Sequence, residues 1–204
     1  MGFHDRNGQH EKLKTQVIKY YESSGGVVTP FGEEENPATQ SSGWQQRKKL
    51  PDAMRYRPDL HVQYESREFL VDPKTGNERF QFIQKEAYEN YLEYNEFKPT
   101  YTISNCVKLA AEIQPQYKSF NPITGETIIR LAQHVGICQI TDMKFLDSEI
   151  HVSQFSDPFP IDSDGWIQPP RGSRTASGTP YKLVDPFSYT SICTIEDWVK
   201  LFGE

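Results

Sequence analysis

A chain of 204 residues with a formal net charge of -6 is long enough for one hydrophobic core with long excursions and too short for two comfortable domains. Hydrophobic residues make up 36% and aromatics 13%, which excludes wholesale disorder, and no apolar run of about eighteen residues is present to span a membrane. The acidic balance is not that of a general nucleic-acid coating protein.

Met1 to Gln16 is charged rather than leader-like, and Cys106, Cys138 and Cys193 are far apart and form no CxxC pair. That usage argues against a disulfide framework or structural zinc and fits a reducing cytosol, so a cytoplasmic location is expected. Charge is distributed unevenly: Arg47, Lys48, Lys49, Arg55 and Arg57 cluster against Asp52, whereas acids outnumber bases from 109 to 204. A local basic edge on an acidic body follows.

Leu13, Val17, Tyr20 and Tyr21 recur at helical steps and predict an amphipathic helix over 9–22, stopped by Ser23, Ser24, Gly25 and Gly26. A short β-branched run over 26–31 precedes a polar stretch, 32–50, read as a long loop. Runs at 59–64 and 68–72, split by Glu65, Ser66 and Arg67, read as a hairpin. Phe80, Ile83, Ala87, Tyr91 and Tyr94 predict a helix over 78–97 with Asn77 as N-cap.

Beyond it, 100–104 reads as strand, 106–113 as a short segment of helical character, and 135–146 as strand. Turn formers between Asp157 and Pro180 separate short strands, one of them 181–184, and Thr194 caps an expected terminal helix. The expected fold is α/β: a central mixed sheet flanked by the two helices, with a core of about 9–146 and a β-rich C-terminal elaboration over about 147–204, all in one domain.

Two carboxylates and a lysine end the hairpin runs: Arg57-Pro58-Asp59-Leu60 and Val71-Asp72-Pro73-Lys74. Paired strands bring Asp59 and Asp72 together, and Lys74, two residues on, projects to the side of Asp72. Hard oxygen ligands of this kind suit Mg²⁺, which polarises a phosphate and acidifies a bound water, with the lysine beside it. The same residues have a plainer reading: Asp72-Pro-Lys-Thr-Gly-Asn is a turn sequence with a near copy at Asn121, and Lys74 then points into water.

With its Pro-Asp and Asp-x-Lys segments between two helices, the chain resembles the PD-(D/E)XK nuclease superfamily over roughly residues 9–104. The resemblance implies a restriction-endonuclease-like core and a Mg²⁺- or Mn²⁺-dependent deoxyribonuclease. Asp59, Asp72 and the Pro73 carbonyl would hold the metal, and Lys74 would position the attacking water. Glu11 is the acid of the first helix that many members supply. Gln84 and Tyr88 are similar to the Gln-hydrophobic-x-x-Tyr pattern of RecB-type members, although Lys85 stands at its hydrophobic position.

DNA is the expected partner, with Arg47, Lys48, Lys49, Arg55 and Arg57 on flanking phosphates. A homodimer is compatible with the junction resolvases of the superfamily, and no membrane partner is expected. A non-catalytic nucleic-acid- or protein-binding module on the same scaffold is the competing reading, and RNA is an open alternative as substrate. His61, two residues from Asp59, shares its side of the strand and is a further candidate for contact with substrate.

Overall fold

The computed structural model describes residues 3–32, 52–75, 81–109, 119–120, 127–128, 131–149, 158–170 and 178–192. Helix α1, Phe3–Ser23, is stopped where two serines and two glycines follow one another. Gly25 takes φ +87°, which a side chain disfavours, and the Gly26 amide closes the last turn on the Tyr21 carbonyl at 2.8 Å. Strand β1, Val27–Pro30, then pairs antiparallel with β2, Leu60–Tyr64, and β2 with β3, Arg67–Lys74. A one-turn helix α2, Asp52–Arg55, precedes β2 and was not visible in the hydrophobic pattern. The expected hairpin is therefore present, and its turn places Glu65 at φ 52°.

Residues 72–74 lie inside β3, in parallel register with Thr102 to Ser104. The plain-turn reading of these residues fails because the strand runs through Asp72, Pro73 and Lys74 before the chain leaves the sheet. Strand β4, Gln81–Gln84, follows, and helix α3, Lys85–Asn95, connects it to β5, Thr100–Leu109.

The helix expected from 78 thus starts at Lys85. Gln81 and Ile83 are buried alternately in β4, which pairs antiparallel with β9, Tyr181–Val184, and extended Gln84 occupies the cap position. Asn77 and Phe80 lie outside the described residues.

Two further expectations are corrected. Cys106 to Leu109 stay in β5 rather than turning helical, because β5 pairs with β8, Leu131–Gln139, along its length. The strand expected to reach Leu146 ends at Gln139. Ile140–Asp142 form a 3₁₀ turn instead, which buries Ile140 and lets Met143 follow it into the core. Short strands β6, Ser119–Phe120, and β7, Thr127–Ile128, pair with each other, and β10, Thr190–Ile192, pairs with β8. The 32–50 loop beyond Gly32 and the helix expected from Thr194 lie outside the described residues.

The principal sheet is mixed, with order β1-β2-β3-β5-β8-β10, and its β3–β5 pair is parallel. One face packs on α1: Leu13, Val17 and Tyr21 meet Leu60, Val62, Phe69, Val71, Ile103 and Ile137. A second cluster gathers Ala87 and Tyr91 of α3 with Ile83, Cys138, Ile140 and Val184. Each fully buried aliphatic side chain contributes about 1.5–3 kcal/mol, so the α1 cluster, which contains Phe69 and Val71, fastens β3 to that helix. The fold class is α/β, as the hydrophobic pattern implied.

Candidate active site

Strand alternation sorts the residues at the end of the hairpin. Leu60 faces Val71 across the ladder, and both belong to the α1 cluster. Carrying the register one residue further sets Asp59 across from Asp72 and turns both, with Lys74, to the opposite face. Asp59 is tethered by its own carbonyl, which accepts from the amides of Phe31 at 2.8 Å and Gly32 at 3.1 Å. A side chain on Gly32 would meet Asp59 Oδ1 at 3.0 Å and its Cα at 3.1 Å, so Asp59 would have to shift to admit one.

Asp72 is 1% exposed, and its Oδ2 lies 2.5 Å from Lys74 Nζ. That oxygen makes no hydrogen bond of regular geometry, so the ion pair is its compensation. Burial pushes the Asp72 carboxyl above the usual carboxylate range; Lys74 pulls it down and the charge of Asp59 pushes it up again. Burial also disfavours the Lys74 ammonium, but Asp72, Tyr91 and Asp59 hold its pKa well above that of an ordinary lysine.

Asp59 is in a different state. Burial would raise it, yet the hydrogen bond from His10, helped by the charges of Lys74, His10 and Lys14, leaves its carboxyl below the usual value. His10 Nε2 stands 3.1 Å from Asp59 Oδ2, and that bond raises the imidazole above its ordinary value against the opposing effect of burial. The two acids therefore differ in proton affinity, one anionic beside a histidine and the other buried beside a lysine.

Beside them opens a cavity of about 280 Å³ lined by His10, Lys74, Thr75, Gln81, Gln84 and Ala87, among others. Gln81 is fixed by Ser104, whose hydroxyl donates to Gln81 Oε1 at 2.8 Å. Gln84 reaches this cavity from the end of β4. A larger cavity of about 540 Å³ has Phe145, Asp162 and Lys182 in its wall but neither His10 nor Lys74, the partners of the two acids, which line the smaller one. The chemistry, not the volume, identifies the smaller one as the candidate site.

Tyr88 is not brought here. Its ring packs 5.3 Å from Phe145 and 6.0 Å from Trp166, centroid to centroid. Gln84 is extended with ψ 145°, so a four-residue helical step cannot be counted from it. The tyrosine that α3 presents to the site is Tyr91, one turn after Ala87; Lys74 Nζ lies 5.5 Å from its ring centroid and hydrogen-bonds its side chain.

Glu11 is likewise turned away, exposed on α1, while His10 one residue earlier reaches Asp59. Extending the stripe of Leu13, Val17 and Tyr21 back by one turn lands on His10, a signal the sequence contained. Pro73 lies between Asp72 and Lys74 in register with Ile103. Among the described residues, no three or more His, Cys, Asp or Glu side chains are grouped to hold a metal ion.

Arg57 lies over the Phe31 ring, 5.6 Å from its centroid, and the Phe31 amide binds Asp59, so this arginine is near the acids. Arg55 stacks on Tyr56 at 4.7 Å, and Arg47, Lys48 and Lys49 lie outside the described residues. His61 shares a surface network with Lys98 Nζ at 3.1 Å and Glu68 at 3.4 Å.

No family model matches the chain, and no curated protein matches it. Among solved structures it is similar to a Holliday junction resolvase from the archaeal hyperthermophile Archaeoglobus fulgidus, with a TM-score of 0.39 and 6% identity over 68% of this chain and 78% of that one. No helix among the described residues is long and apolar enough to cross a membrane.

Proposed function

We propose that this protein is a divalent-metal-dependent deoxyribonuclease that hydrolyses DNA phosphodiester bonds. The observation that carries the reading is the convergence of Asp72 and Lys74 on one face of β3 with Asp59 across the ladder. The donor set fits a hard cation: two carboxylates of unequal basicity, one of them buried with its Oδ2 held by the Lys74 ion pair. Asp59, Asp72 and the Pro73 carbonyl would hold Mg²⁺ or Mn²⁺, and the His10 imidazole, hydrogen-bonded to Asp59, would orient that carboxylate. When bound, such an ion supplies charge neutralisation at the phosphate and lowers the pKa of a water.

The residues of the chain do the rest. His10 holds Asp59 as an anion. Lys74, kept protonated by its acidic neighbours, offers ammonium hydrogens to oxygens that gain charge as the phosphorus adds its fifth ligand. Gln84 lies at the cavity wall within reach of a phosphate or of the lysine. Arg57, stacked beside the site, neutralises a flanking phosphate, and binding weakens as salt rises.

A plasmid or labelled-oligonucleotide assay with Mg²⁺ tests the reading on the native chain, Asp72→Ala and Lys74→Ala. Cleavage by the native chain and its loss in both variants support it; cleavage that is unchanged in both, or absent in all three, overturns it. The 1% exposure of Asp72 favours one competitor, a DNA-binding module in which Asp72–Lys74 is only a buried ion pair. That module binds DNA and never cuts it.

A further inference from the structure

Lysine has a long, rotatable stem, and holding its ammonium in one place costs up to about 2 kcal/mol of rotamer entropy. Lys74 has one strong anchor, Asp72 Oδ2 at 2.5 Å. That anchor is conditional, because the same oxygen is needed by whatever cation the acids share. A lysine tied only to Asp72 would lose its position when the site becomes occupied.

Tyr91 supplies a second anchor that does not compete. The residue is 2% exposed and packed in the α3 cluster with Ile83, Ala87 and Ile140, so its ring is immobile on the scale of the site. It stands under the Lys74 ammonium, 5.5 Å from ring centroid to Nζ, close enough for a cation–π contact. Its hydroxyl accepts a hydrogen bond from the same ammonium. A buried hydroxyl without a partner is unfavourable, so the two groups satisfy each other. Tyr91 is not among the residues lining the cavity and so acts through Lys74 rather than on substrate.

We propose that Tyr91 is the positioning residue for Lys74, holding its ammonium at the cavity wall while Asp72 is engaged elsewhere. As a catalytic effect this rests on the nuclease reading; as a statement about Lys74 it does not. The experiment has two arms on the full chain, comparing native protein with Tyr91→Phe, which keeps the ring, Tyr91→Leu, which removes it, and Tyr88→Phe as a control.

In the first arm, DNA cleavage with Mg²⁺ is resolved into kcat and KM. Tyr91→Phe lowers kcat by roughly tenfold or more with KM and melting temperature near native, as a misplaced catalytic group does. Tyr91→Leu loses more, and Tyr88→Phe is unchanged. A Tyr91→Phe kcat within twofold of native overturns the proposal.

In the second arm, the Lys74 ammonium resonance is recorded by ¹⁵N NMR at low temperature in metal-free Asp72→Asn protein, which removes the carboxylate anchor, and is assigned by its loss on adding Lys74→Arg. The signal is present in Asp72→Asn and broadened or lost when Tyr91→Phe is added; an unchanged signal overturns the proposal whether or not DNA is cut. If native protein fails to cut DNA while the signal still depends on Tyr91, the nuclease reading falls and the positioning role stands.

Discussion

Replacing His10 by alanine removes the hydrogen bond by which α1 holds Asp59, and the cost should depend on pH. His10 is raised above its ordinary 6.5, so its contribution is complete below that value and is lost as pH rises through the folded pKa. Asp59 is lowered below 3.8, so its contribution is present above that value and is lost as pH falls through the folded pKa. Both hold together between roughly pH 4 and 6.5.

A hydrogen bond between charged groups contributes about 1.5–3 kcal/mol. With the side chains 25% and 15% exposed, solvent screening reduces that to about 1 kcal/mol. In a chain of this length 1 kcal/mol moves the melting temperature by about 2–4 °C. Thermal denaturation in EDTA should therefore show His10→Ala melting about 2–4 °C below native at pH 5 and by half of that or less at pH 9. An equal deficit at both pH values, or a larger one at pH 9, refutes the reasoning.

Gly32→Ala forces a methyl to within 3.0 Å of Asp59 Oδ1 and 3.1 Å of its Cα. Overpacking of this kind costs about 1–3 kcal/mol, and titration with Mn²⁺ should show weakened binding as Asp59 shifts; native affinity contradicts this. Tyr88→Ala opens a hole between Phe145 and Trp166. It should destabilise by about 2–4 kcal/mol in urea and leave kcat of the folded protein unchanged; a specific loss of kcat returns Tyr88 to the site.

The elements that sequence reading located were those whose burial follows a single period. The stripe of Leu13, Val17 and Tyr21 marked α1, and the glycine stop marked its end, because local sterics decide both. The hairpin carrying Asp59, Asp72 and Lys74 was legible because alternating burial and a short turn fix its register.

Strand β4 was read as helix because Ile83 satisfies the helical stripe as well as an alternating one, and only its partner β9, a hundred residues away in sequence, decides between them. Gln84, expected on that helix, is extended at its cap, and Tyr88 of the motif packs with Phe145 and Trp166. The continuation of β5 past Cys106 depends on its ladder with β8, which no local pattern reports. His10 continues the stripe of α1 and reaches Asp59, whereas Glu11 is only the residue type that the family resemblance implies and is exposed.

The central claim is that Asp59 and Asp72 share one divalent ion. Crystals soaked in Mn²⁺ and measured at the manganese edge locate that ion without reference to activity. The account requires an anomalous peak with carboxylate oxygens of both residues at about 2.0–2.6 Å. A peak touching only one of them, or none between them at saturating Mn²⁺, contradicts it.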